Sequence, residues 1–181
     1  MKKATSRRSF LLKTALATTG VTLLSNGVSA AFANDIPFDG YNPYAETKTD
    51  LRTNTLADRI DVYGVIYNST GKIPLQNASV EVWHLSPNSK KYRHRAKLFT
   101  NDLGEYSFTT EMPNRETGNP PKIFFKVTSQ NKSYFTELIL SSTGAHITGK
   151  HWQENKLPDL KLLPRTEYAG TTTSINFNIT N

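Results

Sequence analysis

The run Lys97-Leu98-Phe99-Thr100-Asn101-Asp102-Leu103-Gly104-Glu105-Tyr106-Ser107-Phe108-Thr109-Thr110 decides how this chain folds. Its centre, Asn101-Asp102-Leu103-Gly104, is turn chemistry: Asn and Asp side chains bond their own backbone, and Gly accepts a left-handed conformation without a steric penalty. After it, Tyr106 and Phe108 alternate with polar residues, the period of a strand that buries one face. The whole segment reads as a β-hairpin.

The same pattern continues on both sides. Upstream, Ile60, Val62, Gly64 and Ile66 alternate with Asp61, Tyr63, Val65 and Tyr67, and Asn68-Ser69-Thr70-Gly71 supplies a turn. Pro74 and Asn77 then precede the strand pattern Ala78-Ser79-Val80-Glu81-Val82-Trp83. Downstream, Lys122 to Ser129 and Tyr134 to Leu140 flank a Gln130-Asn131-Lys132 turn, and Ser174-Ile175-Asn176-Phe177-Asn178-Ile179 closes the chain with clean alternation. No apolar stripe of helical period persists for three turns beyond the N-terminal segment. The spacing predicts an all-β fold, a β-sandwich of about 6–8 short strands with Greek-key-like connections. Residues 34–57, with Pro37, Gly40 and Pro43, read as an extended arm on the surface of a 58–181 domain. Residues 141–173 read as a long excursion before the last strand.

Residues 1–33 have another character. Ser6-Arg7-Arg8-Ser9-Phe10-Leu11 sets paired arginines before a mildly apolar stretch that ends in small residues, which is the plan of a twin-arginine signal peptide. Ala31-Phe32-Ala33 and Val28-Ser29-Ala30 are the two cleavage patterns available. The apolar stretch is shorter and weaker than the roughly 20 apolar residues of a membrane span, so no stable membrane anchor is expected after cleavage. The expected location is periplasmic or secreted.

Charge narrows the partners. The formal net charge is +7, but Lys2, Lys3, Arg7, Arg8 and Lys13 lie in the signal, leaving 17 basic against 15 acidic residues. So small an excess argues against nucleic acid as a partner. Cysteine is absent, which excludes disulfides, thiolate nucleophiles and Cys-based metal sites. No Gly-x-Ser-x-Gly elbow occurs to support a serine nucleophile.

The residues from Gly64 to Thr110 resemble the intradiol ring-cleavage dioxygenases, non-haem iron enzymes that open catechol and protocatechuate between their hydroxyls. The resemblance rests on Gly64-Val65-Ile66-Tyr67, Gly71-Lys72-Ile73-Pro74-Leu75, Ala78 to His84, Lys91-Tyr92-Arg93-His94 and Asp102 to Thr110, and continues through Pro120 to Val127 and Phe135 to Leu140. It implies a transthyretin (prealbumin)-like Greek-key sandwich. The turn progression is also shared with transthyretin-like and carboxypeptidase-regulatory modules, whereas the Val-Glu-Val-Trp strand end followed by Tyr-Arg-His is narrower.

The resemblance further implies Fe(III) held by two tyrosinates and two histidines, hard phenolates favouring the ferric state. Tyr92 matches the first tyrosine. Met112 to Asn119, where the second should fall, contains none. Lys122 and Phe124 stand at the positions of the His-x-His pair, and Asn119 replaces the arginine before it. An ammonium repels a ferric ion and a phenyl ring has no lone pair to give it. No cofactor is therefore expected, with Fe(III) implied only if the family activity persists.

Other candidates are weaker. His94 and His84 are placed to approach Tyr92, with His94 the alternative metal ligand, but all four histidines, His84, His94, His146 and His151, read first as ordinary exposed or hydrogen-bonded imidazoles and only second as metal ligands. Arg93, Arg95 and Lys122 form a candidate anion-binding group, since Arg forks carboxylates well. Tyr44, Trp152 and Tyr168 are aromatics outside strands, suited to a ring or sugar surface or to anchoring loops. Three functions stand: a dioxygenase-like binding or structural module for a small aromatic or anionic ligand, a metal-dependent ring-cleaving dioxygenase, and a transthyretin-like or carbohydrate-binding sandwich.

Overall fold

A computed structural model describes residues 38–181; the twin-arginine segment and the first residues of the arm lie outside them. The strands are β1 (Arg59–Tyr67), β2 (Ser79–His84), β3 (His94–Phe99), β4 (Glu105–Thr110), β5 (Lys122–Ser129), β6 (Lys132–Ser141), β7 (Gly144–Ile147), β8 (Arg165–Ala169), β9 (Thr172–Asn176) and β10 (Ile179–Thr180). Two short helices, α1 (Gly149–Glu154) and α2 (Asp159–Leu162), lie between β7 and β8. One sheet is antiparallel in the order β3-β2-β5-β6-β7. In the other, β1 is central, antiparallel to β4 and parallel to β9 and β10, with β8 outside β9. The all-β sandwich expected from the sequence is the fold observed.

The opening hairpin turns as its residues require. Gly104 sits at φ +74, and Asn101 Oδ1 accepts from the backbone N–H groups of Leu103 and Glu105 at 3.0 and 2.9 Å. The β5–β6 turn uses Gln130 and Asn131 at φ 48 and 63, the mirror-image geometry that matches strand twist.

Alternation builds the core. Val62 and Phe108 from one sheet meet Val80, Ile123, Phe125 and Leu138 from the other, all essentially without exposure. Phe125 is central, with ring centroids 5.1 Å from Phe177, 6.1 Å from Phe108 and 6.3 Å from Tyr106.

Three features depart from the sequence expectation. The last strand is not continuous: it breaks at Phe177-Asn178 into β9 and β10, both alongside β1. Gly64 is the reason, because a Cβ there would lie 1.8 Å from the Phe177 carbonyl oxygen, so the chain running alongside β1 meets bare backbone at this point. Asn178 Oδ1 accepts the Val65 N–H at 2.9 Å, replacing the ladder bond lost at the break. Residues 141–173 are not a structureless excursion but supply β7, both helices and β8. Helix α1 is six residues long, with His151 buried, and is too short for a helical stripe to show.

The arm, third, is not confined to the surface. Its segment 46–51 spans the two sheets: Lys97 N–H donates to Glu46 O at 2.9 Å, Thr109 N–H to Thr49 O at 2.7 Å, and Leu51 N–H to Thr109 O at 2.8 Å. Leu51, 2% exposed, enters the core. Leu51→Ala should therefore cost about 2–5 kcal/mol in urea unfolding, whereas Leu56→Ala, at an exposed position, should leave the midpoint unchanged.

Candidate functional site

The residues that the family resemblance singled out lie on and beside β5. Strand period places Ile123, Phe125 and Val127 on its inner face and Lys122, Phe124 and Lys126 on its outer face. By register, Phe124 lies between Trp83 of β2 and Glu137 of β6, and Lys126 between Glu81 and Phe135. The outer surface thus mixes rings with paired charges.

Residues 38–41 strap across it. The Phe38 ring stacks on Phe124 with centroids 4.8 Å apart. Trp83 Nε1–H donates to the Asp39 carbonyl at 2.9 Å, and Tyr41 O–H donates to Glu81 at 3.1 Å while accepting from Lys126 Nζ at 2.7 Å. Burial pushes the Tyr41 phenol up despite the Lys126 ammonium. Gly40, at φ +76, lies so close to Tyr92 that a Cβ would overlap the ring. This cover explains why Trp83 and Phe124, outward-pointing residues of a sheet, are 2% and 6% exposed.

Tyr92 is half-buried beneath Gly40, 6.2 Å from Phe124 by ring centroid, and its hydroxyl donates to Glu116 Oε1 at 2.6 Å. Burial first, then the Glu116 carboxylate, raises the phenol well above its ordinary range. Lys122 Nζ is bonded to both oxygens of Glu137, at 3.1 and 3.0 Å. The hollow among Leu85, Asn114, Glu116, Pro120, Lys122 and Phe124 holds about 10 Å³, against roughly 300–1,000 Å³ for a small-molecule pocket.

Ferric iron does not fit these donors. Of the four ligand positions implied by the family, one presents a phenol held protonated, one an ammonium already neutralised by a carboxylate, and one a packed phenyl ring. Among the described residues, no group of three or more His, Asp or Glu side chains is arranged to hold a metal ion.

His94 does not join Tyr92. It turns into the protein, 1% exposed, with Nδ1 hydrogen-bonded to Ser86 Oγ at 2.9 Å and Nε2 3.7 Å from Glu111 Oε1. Its ring packs at a tilt against that of His84, with centroids 4.8 Å apart, and His84 bonds the Leu85 carbonyl and Thr110 Oγ1, both at 2.7 Å. Glu111 accepts the backbone N–H groups of Thr53 and Asn54, the latter at 2.7 Å. Burial raises the Glu111 carboxyl, but those N–H groups and His94 outweigh it and the net shift is downward. The histidines thus make a structural cluster that anchors the arm.

His151 is also structural, bonded to Tyr134, Thr136 and Asn155, whereas exposed His146 bonds Ser141. Arg93 and Arg95 lie beside the strap on the outer face of edge strand β3, away from the Lys122–Glu137 pair. Tyr44, Trp152 and Tyr168 are 90%, 43% and 62% exposed on separate segments.

Sequence reasoning missed the strap, the Tyr41–Lys126–Glu81 network and Glu111. A signal existed for the network: Glu81 and Lys126 interrupt otherwise apolar strands at positions that antiparallel register brings together. None marked Phe38 as the cover of Phe124.

No family model matches the sequence, and no curated protein matches it. Solved structures do, and they define the class of the fold: the sandwich of the intradiol dioxygenases. The dioxygenase domain of a dioxygenase carbohydrate-binding protein fusion from Streptomyces sp. SirexAA-E superposes with a TM-score of 0.61 at 16% identity, covering 81% of this chain and 95% of that one. An intradiol ring-cleavage dioxygenase from Tetranychus urticae gives 0.59 at 11% identity, covering 77% and 88%. The 3-chlorocatechol 1,2-dioxygenase of Rhodococcus opacus 1CP gives 0.57 at 16%, covering 85% and 76%. At these identities the likeness is one of fold, the one implied by the residues from Gly64 to Thr110.

The buried histidines carry a pH dependence. Burial lowers His84 to about 3 and His151 to about 4, and lowers His94 against the pull of Glu111, all from an ordinary 6.5. Because the folded values lie below the unfolded one, this stability is complete above pH 6.5. It is lost as pH falls from 6.5 toward 4 and then 3. Urea unfolding at pH 7.5, 6 and 5 should show a falling midpoint, with at least two protons taken up on unfolding near pH 5; a flat profile would contradict neutral burial.

Proposed function

We propose that this chain is an exported protein with an intradiol-dioxygenase-like fold that works without a ferric centre, as a binding or structural module rather than a ring-cleaving enzyme. The observation that carries the reading is the state of the ligand positions on β5. Lys122 is locked to Glu137, Phe124 is capped by Phe38, and the hollow beside them holds about 10 Å³. A catechol ring needs an open slot beside the metal, and the side chains present fill it. The closure is built from several independent contacts, so no single rotamer change opens it.

Chemistry supports the same conclusion. Tyrosinate ligation requires the phenol to lose its proton, which burial and Glu116 oppose at Tyr92. Lys122 would bring a second positive charge to the ferric ion, and its removal from Glu137 would leave a largely buried carboxylate unpaired.

Metal analysis and spectroscopy of the mature protein, purified after export, test this directly. The expected result is no stoichiometric iron, no orange-red tyrosinate-to-iron absorption after incubation with ferric salt, and no catechol ring opening. Stoichiometric iron with that absorption and turnover overturns it. Export rests on Arg7 and Arg8: replacing both with Lys should leave uncleaved precursor in the cytoplasm, as immunoblotting of cell fractions would show.

A further inference from the structure

Strand β3 carries a row of cations outside the closed site. Arg93, just before β3, and Arg95, Lys97 and Phe99 within it alternate with the buried His94, Ala96 and Leu98, so the four share the outer side. Successive members are about 6.8 Å apart along an extended strand. Among the described residues none of the three cations has an ion-pair partner. Two acids beside the row face other partners: Glu81, cross-strand from Lys97, meets Lys126 and Tyr41, and Glu46 lies 3.9 Å from Lys48. The strap covers Trp83, Phe124 and Tyr92, and segment 46–51 bonds β3 at Lys97, which leaves Arg93 and Phe99 exposed and Arg95 and Lys97 half-buried.

The row ends at an exposed ring beside a cleft. Phe99 is 50% exposed, with Lys97 Nζ 5.6 Å from its ring centroid. It forms one wall of an open cleft of about 820 Å³ whose other walls include Thr47, Lys48, Asn101, Ser107 and Asn176. Hydroxyls and amides share those walls with apolar surface that includes Tyr63 and Val65. Glu105, also in the cleft, is held by Asn101 Nδ2 at 2.8 Å and presents acceptor oxygens to the opening.

We propose that the β3 row and this cleft form a binding surface for an acidic polysaccharide, a chain of sugar rings that bear carboxylates. Each component has a matching group. The guanidinium forks of Arg93 and Arg95 and the Lys97 ammonium take carboxylates. The Phe99 face takes the C–H face of a sugar ring, and the hydroxyl and amide walls and Glu105 take ring hydroxyls. A nucleic acid fits less well, because the chain after residue 33 carries nearly balanced charge and presents no series of exposed rings between its cations. The inference rests on the binding-module reading and names the ligand class that reading leaves open.

The test is titration of the mature protein with polygalacturonate. Binding should weaken as salt rises, since exposed charges are screened over about 8 Å at physiological ionic strength. The combined Arg93→Gln, Arg95→Gln and Lys97→Gln variant should lose about tenfold or more in affinity with an unchanged Tm, and Phe99→Ala should lose severalfold. Lys132→Gln, at the far β5–β6 turn, should bind as the unaltered protein does. The proposal fails if polygalacturonate does not bind, if the triple variant binds as tightly as the parent, or if neutral dextran or a single-stranded oligonucleotide binds equally well. A protein that binds polygalacturonate yet opens catechol overturns the earlier reading and keeps this surface; an iron-free, inactive protein indifferent to polygalacturonate overturns this surface alone.

Discussion

The packing of Phe125 against Phe177, edge to face at 5.1 Å between the sheets, is the contact on which the rest of the molecule depends. It commits one face of β5 to the core. Because side chains alternate strictly along a strand, it also commits Lys122, Phe124 and Lys126 to the opposite face. A slip of one residue would bury two lysines and expose Phe125. The inner aromatic cluster therefore decides where residues 122 and 124, at which the family resemblance implies histidines, must point.

On that outer face the side chains are held by packing and by ion pairs. Phe124 is unusual only in being buried while pointing away from the core, and the strap makes this so: Phe38 supplies the ring, Gly40 the close approach to Tyr92, and Tyr41 a hydroxyl between Lys126 and Glu81. Lys122 and Lys126 are paired with Glu137 and Glu81, which is the condition for holding lysines and glutamates under cover at modest cost. The arm continues from the strap through segment 46–51, which joins the edges of β3 and β4, to Thr53 and Asn54 on Glu111. Cover, seam and anchor are one length of chain.

Much of this was legible in advance. The strands of the hairpins could be read because turn residues and period-2 alternation are local signals, and each strand from β1 to β6 formed where they placed it, within a few residues. The break at Phe177-Asn178 could not be read, because its cause is Gly64, more than a hundred residues away in sequence, where the two backbones meet. The short β7, α1 and β8 were missed because they are held by contacts such as His151 with Thr136 rather than by any periodic pattern of their own.

The sequence by itself determined the all-β class, the family of sandwich it resembles, and the chemistry missing from β5: no histidine stands at 122 or 124, whatever the fold does. It also determined which groups were available, an ammonium, a phenol and a carboxylate. Only the tertiary structure decided their partners. Lys122 meets Glu137 and Tyr92 meets Glu116, while His94 turns inward to Glu111 and Phe38 closes over Phe124. Residue identity is a property of the chain, but which face a strand presents and what lies across from it are set by register and by packing between distant segments, which no local pattern encodes.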